Sequence, residues 1–466
     1  MTTRLELDDM QGLLARGYGS LPYATFLLLG IDDAAAARSL LARWADVLTD
    51  AAARPADDAV NVALTADGIA ALSPGRGIPA GFSEQFASGM TTAYRSRLLG
   101  DLDDDDPRGW RWGGPTTAPV HVMVLVFART EELLADRCGR LADQAAGHGL
   151  SVVDRLETGR LGLTEPFGFH DGISQPPLEG LGSGDGRGDP VRAGEFVLGY
   201  PNEHDQLTAR PLLPVADDPR SLLARDHATG LADLGRNGSY LVVRQLRQDV
   251  EAFWSFTEAA TRTPDGRPDA AASQQLAAKM MGRWPGGAPL VLAPERDDPA
   301  LAAENDFGYH ATDPRGMACP LGSHVRRANP RDALEPRPGT EQSLAINRRH
   351  RLLRRGRSYG SAERGGETGL YFMCLNANLA RQYEFVQHSW LNNPTFNGLY
   401  DEPDPVVGPR RAKGTYFTTP ARPVRRRYAD LPQFVHVRGG AYFFLPGIRA
   451  LRYLAERPHR PTTGRD

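Results

Sequence analysis

Four segments of the chain gather residue types that do chemistry. The first is Phe167-Gly168-Phe169-His170-Asp171-Gly172-Ile173-Ser174-Gln175-Pro176, where glycines flank a carboxylate. Glycine allows close backbone approach or a positive φ, and loops between scaffold elements often carry function. A lone aspartate beside glycine also makes a structural Asx-turn. The second segment runs from Cys319 to Arg331, and in it His324 is followed by Arg326, Arg327 and Arg331. Imidazole is a common ligand of haem iron, and guanidinium forks match carboxylates such as haem propionates. The same residues equally make a surface histidine in a basic loop. The third segment, Arg351 to Gly360, contains Arg354-Arg355 ahead of Gly356. The fourth is Gly369-Leu370-Tyr371-Phe372-Met373, running on into Arg381–Gln387. Strand alternation puts Leu370 and Phe372 on one face, where core packing and pocket lining are compatible roles.

These segments need a scaffold, and the chain offers one. Tyr23–Gly30 is an apolar run suited to a buried strand, followed by Asp32 and Asp33 as N-cap candidates and a helical pattern from Ala34 to Leu48. Val60–Leu64 predicts a second strand, with a helix-start signal at Thr65-Ala66-Asp67. Strand Val120–Phe127, helix Thr130–Ala146 and strand Ser151–Leu156 repeat the plan. Strand–helix–strand twice over is the ferredoxin-like βαββαβ arrangement. The second half shows the same plan with long insertions: strand Ser239–Leu246, helix Gln248–Thr261, strand Gly369–Leu375, helix Asn378–Leu391, and a last apolar run, Phe434–Val437 and Ala441–Leu445, broken by Gly439-Gly440. The expected fold class is α+β, two ferredoxin-like domains with residues 1–180 in the first and 181–466 in the second, joined around Glu165–Pro190. Leu178–Asp189 contains five glycines, and Arg348–Arg357 holds six arginines that read mostly as a solvated surface.

Composition narrows the partners. The 466 residues include 54 Lys+Arg and 57 Asp+Glu, a net charge of −3, which disfavours a nucleic-acid backbone or an anionic membrane as main partner. Three scattered cysteines make neither a disulfide scaffold nor a CxxC metal signature. The N-terminus lacks a basic segment followed by an apolar one, and the longest apolar runs fall far short of the roughly 20 residues that span a bilayer. A cytoplasmic protein is the expectation.

Taken together and in this order, the four segments resemble the dye-decolourising peroxidase family in its long form. The resemblance extends to Val60–Leu72, Leu99–Gly114, Gly194–Pro201, Asn237–Val250 and Gly439–Pro446. It implies two ferredoxin-like domains enclosing one haem b per chain. The family's GxxDG aspartate falls on Asp171, its proximal haem histidine on His324, its distal arginine on Arg354, and its pocket leucine and phenylalanine on Leu370 and Phe372. Gly172, Ile173 and Arg326 are expected to contact the haem. Glu384 and Gln387 are the candidates for the hydrogen-bond partner of His324. The implied activity is reduction of hydrogen peroxide with oxidation of dyes, phenols or other aromatic donors, with Asp171 moving the proton and Arg354 stabilising developing negative charge. His170 is the alternative distal base. A haem carrier or iron-release factor of the same fold is the alternative function, although it would need neither Asp171 nor Arg354. Neither oligomeric state nor a radical site among 14 Tyr and 6 Trp is legible.

Overall fold

The computed structural model describes residues 4–181, 190–360, 366–410 and 414–456. Among them, nine strands form one antiparallel sheet. The first half contributes β1 (Tyr23–Ile31), β2 (Asp58–Leu64), β3 (Val122–Ala128) and β4 (Leu150–Glu157), in the spatial order β4-β1-β3-β2. The second half contributes β5 (Ser239–Gln248), short β6 (Leu353–Arg354) and β7 (Arg357–Tyr359), β8 (Gly369–Asn376) and β9 (Val435–Leu445). There β9 lies beside β5, β5 beside β8, and both β6 and β7 on the far edge of β8. With β6 and β7 counted as one interrupted strand, each half has the order fourth-first-third-second. The protein is thus two ferredoxin-like halves, and β2 meets β9 at Leu64 and Phe444 to make their sheets continuous.

Capping chemistry starts the helices where the sequence places them. Asp33 accepts from the backbone N–H groups of Ala35 and Ala36 at the head of α1 (Ala34–Trp44), and Thr130 accepts from Leu133 at the head of α2 (Glu131–Ala146). Asp249 does the same for α3 (Val250–Ala260). The all-buried pattern of β3, Val-Met-Val-Leu-Val-Phe-Ala, follows from cover on both faces. On one face Val122, Val124 and Val126 pack with helix residues such as Leu41 and Leu141. On the other, Met123, Leu125 and Phe127 pack with Leu13 from a single helical turn, Gly12–Ala15, and with Phe196 and Val197. Each fully buried apolar side chain here is worth about 1.5–3 kcal/mol.

Three expectations need correction. The Gly439-Gly440 pair does not end a strand: β9 runs through it, with a bulge between Val437 and Gly439. The glycines answer close packing, because a Cβ on Gly439 would lie 2.5 Å from Nε1 of Trp112. That indole crosses from the first half to donate to Gln245 on β5 at 2.9 Å. The helix after β8 is not a regular amphipathic helix. It runs as wide π-type turns over Ala380–Glu384 and Val386–Leu391, with Glu384 N–H bonded to the Leu379 carbonyl five residues back. The arginine-rich run is not all solvated. Arg355 donates to the carbonyls of Leu13 and Leu14, and buried Arg357 to those of Gly17 and Tyr18, lacing the N-terminal segment to the second half. In the glycine-rich stretch, residues 182–189 lie outside the described residues. No helix among the described residues is long and apolar enough to cross a membrane.

Candidate active site

The four segments converge on one cavity of about 610 Å³, within the range of small-molecule and cofactor pockets. Asp171, Gly172, Ile173, His324, Arg354, Leu370, Phe372 and Gln387 all line it. The lining is mostly apolar, with a few charged groups among it.

The His324 wall is built from a turn and a short helix. Buried Ser323 donates to the Lys279 carbonyl at 2.5 Å, fixing the start of Ala-terminated α5 (His324–Ala328) against α4 (Ala270–Met281). His324 Nδ1 lies 2.9 Å from Asp404 Oδ2. Asp404 has no solvent exposure, and its other oxygen accepts from the N–H groups of Val406 and Val407. With a carboxylate as acceptor, Nδ1 must be the donor, which leaves Nε2 of the neutral ring as the lone-pair nitrogen. Burial opposes charge on His324, but the Asp404 carboxylate and hydrogen bond outweigh it and hold the imidazole pKa above its ordinary value. Burial likewise opposes the Asp404 charge, and His324 and Arg327 reverse that, holding its carboxyl below the usual range.

In the same lining, Asp171 Oδ1 lies 3.5 Å from Arg354 Nη1. Asp171 also accepts from the Gly172 N–H at 2.6 Å, and Gly172 has φ 81°, a conformation that favours glycine. Arg354, on β6, is tied to the same loop, because its N–H donates to Gln175 Oε1 at 3.0 Å. Half-buried Glu165, itself in the cavity lining, shapes the loop. It accepts from Phe167 and Phe169 N–H and from Gln248 Nε2, and burial raises its pKa. The rings of Phe167 and Phe169 pack on Phe253 of α3. Leu370 and Phe372 share the cavity-facing side of β8. His170 also lines the cavity, with Nδ1 3.4 Å from the Gly286 carbonyl.

Two sequence expectations fail here. Arg326 is not a cavity residue: it is buried, donates to Asp313 and the Cys319 carbonyl, and stacks over Tyr309. Neither Glu384 nor Gln387 is the partner of His324. Glu384 pairs with Arg95 and Tyr442, and Gln387 donates to Asn392. The partner is Asp404, which sequence reasoning missed. Its only local signal is Glu-Pro-Asp-Pro at 402–405, a carboxylate fixed between prolines in an irregular segment.

This donor set fits an iron porphyrin. One imidazole with a free ring nitrogen faces an apolar cavity, and arginines stand on its walls. Among the described residues no three His, Cys, Asp or Glu side chains cluster as a bare ion would require.

Residues 224–421 match the family described as "Dyp-type peroxidase, C-terminal". The chain is 30% identical to a multifunctional dye peroxidase of Amycolatopsis sp., covering 96% of both chains. It is 29% identical to a dye-decolorizing peroxidase of Mycena epipterygia, over 97% of this chain and 87% of that one. A crystal structure of the peroxidase from Auricularia auricula-judae superposes with a TM-score of 0.79 at 26% identity, over 97% of this chain and all of the other. Fold, cavity and relatives agree: the chain belongs to the dye-decolourising peroxidase family and is a haem-dependent peroxidase.

Proposed function

We propose that the protein holds one haem b per chain, reduces hydrogen peroxide in the cavity and oxidises dyes, phenols or related aromatic donors. The observation that carries this reading is one cavity lined both by His324, backed by Asp404, and by the Asp171–Arg354 pair. His324 would hold the haem iron through Nε2. When bound, the haem supplies the electrons that cleave the peroxide bond. Asp171 takes a proton from one peroxide oxygen and returns it to the other, the leaving one. Arg354 places fixed positive charge where that oxygen becomes negative. Leu370 and Phe372, with Gly172 and Ile173, keep the space small and exclude bulky donors. A solved relative in complex with 2,6-dimethoxyphenol, 26% identical to this chain, supports the donor class.

Deferrochelatases of Yersinia are 34% identical over 187 residues, 39% of this chain, which favours haem carriage or iron release as a second reading. Asp171 and Arg354 speak for the peroxidase, because a carrier needs neither. We place the division of the halves at residues 180 and 181. We also assign the protein to the cytoplasm, in keeping with its three free buried thiols. The deciding experiment is haem loading followed by peroxide-driven oxidation of a donor panel at several pH values. A Soret band with donor turnover supports the proposal. A Soret band with iron release and no peroxide consumption selects the second reading.

A further inference from the structure

Behind the cavity wall that carries Phe372 stands a column of buried phenols. Tyr383 lines the cavity, with its ring 6.1 Å from that of Phe372. Tyr442, on β9, lies 6.2 Å beyond Tyr383 at a steep interplanar angle of 77°. Both tyrosines are buried. The Tyr442 hydroxyl donates to Glu384 Oε1 at 2.9 Å. Glu384 is buried too, and Arg95 Nη1 reaches both its oxygens at 2.8 Å. A second desolvated pair, Arg244 with Asp101, stands nearby.

Peroxide chemistry at Asp171 and Arg354 uses none of these groups. Buried ion pairs are a poor way to stabilise a fold, since well-packed apolar residues often do as well or better. A phenol hydrogen-bonded to a carboxylate beside an oxidising site has a chemical use. Burial, and the Glu384 charge after it, hold the Tyr442 pKa well above the ordinary phenol value, so this phenol does not ionise by itself. It gives up an electron readily only if its proton leaves in the same step, and Glu384 is placed to take it. Arg95 is not then left unpaired, because exposed Glu84 lies 3.3 Å from its other nitrogen.

We propose that Tyr383 and Tyr442 form an internal one-electron relay, with Glu384 as its proton acceptor. The proposal rests on the haem peroxidase reading. Peroxide removes two electrons from the site, whereas a phenolic donor returns one at a time. The relay holds one oxidising equivalent away from the cavity between these events. In the step, one electron passes from Tyr442 through Tyr383 to the oxidising equivalent that peroxide reduction leaves in the cavity. The Tyr442 O–H bond breaks and an O–H bond forms on Glu384. The products are a neutral tyrosyl radical and a carboxylic acid, and peroxide is the oxidant. Reduction by a donor runs the step backwards.

The test mixes haem-loaded protein with one equivalent of hydrogen peroxide, without donor, freezes it rapidly and records the electron paramagnetic resonance spectrum. Ring-deuterated tyrosine, incorporated biosynthetically, identifies the radical by narrowing its signal. The wild type should give a tyrosyl signal that is lost in Tyr442→Phe and in Glu384→Gln. Tyr442→Phe leaves the Glu384–Arg95 pair intact and should keep the wild-type Soret band and peroxide consumption. An undiminished tyrosyl signal in both variants overturns the relay. A Soret band with peroxide consumption but no tyrosyl signal in the wild type overturns the relay and leaves the peroxidase standing. A chain that takes up no haem overturns both.

Discussion

One pair at the cavity is His324 leaning on Asp404, a carboxylate with no solvent exposure and three hydrogen-bond donors around it. The other is Asp171 and Arg354, which face each other at 3.5 Å with 40% and 33% of their side-chain surface open. Both join an acid with a base, but burial divides their tasks. A desolvated pair is strong and geometrically fixed, which suits a group that must hold an iron ligand in one tautomer. A half-open pair is weaker and screened by water, which suits a carboxylate that must pick up and release a proton in each turnover. The loop that carries Asp171 is nonetheless tied down, by hydrogen bonds to Glu165 and by Phe167 and Phe169 against α3.

The comparison is broken most severely by His324→Ala. The variant should fail to retain haem, seen as loss of the Soret band in a haem titration. Asp171→Asn should leave that band in place and slow peroxide-dependent turnover by about 10²–10⁴-fold, the usual weight of a general acid–base group. A variant that keeps its rate in stopped-flow would remove Asp171 from proton transfer.

Asp404→Asn tests the buried side. Loss of such a supporting carboxylate typically costs about 10–100-fold in ligand affinity or activity, measurable as haem affinity. The same substitution has a pH signature in the haem-free protein. His324 has a raised pKa, so its share of the pair's stability is present below the unfolded value of 6.5 and is lost as pH climbs through the raised value. Asp404 has a lowered pKa, so its share is present above 3.8 and is lost as pH falls through the lowered value. Urea unfolding should therefore show the largest gap between wild type and Asp404→Asn from about pH 4 to pH 6.5, on the order of 1–3 kcal/mol, shrinking on either side. A gap that is flat with pH would mean that the pair is not charged. The smallest effect on the site is expected from Arg326→Lys. It should lower the thermal midpoint, because Asp313 and the Cys319 carbonyl lose a matched fork, yet leave haem uptake unchanged.

The strands that build the halves were legible because burial on both faces leaves near-continuous apolar runs, as in Val122–Ala128, and because caps such as Asp33 and Thr130 announce helices locally. The segments meeting at the cavity were legible by family resemblance, each too ordinary alone. Asp404 was not, since an irregular segment has no period and its partner lies 80 residues away. Arg326 and Arg357 misled for a related reason. A guanidinium written in a basic run gives no hint that backbone carbonyls will surround it, as they do at Cys319 and Asp313 for one and at Gly17 and Tyr18 for the other. The wide turns after β8 are invisible to a search for a 3.6-residue period.

Trp112 has an optical consequence. Its indole belongs to the first half, yet it fills the space beside Gly439 and bonds Gln245 in the second. It is also fully buried. The haem-free protein therefore carries a native fluorophore on the join between its halves. The part of its emission that disappears in Trp112→Phe should be blue while the halves are docked. It should shift to the red at the denaturant concentration where they part, so that separation of the halves can be followed apart from the melting of either one.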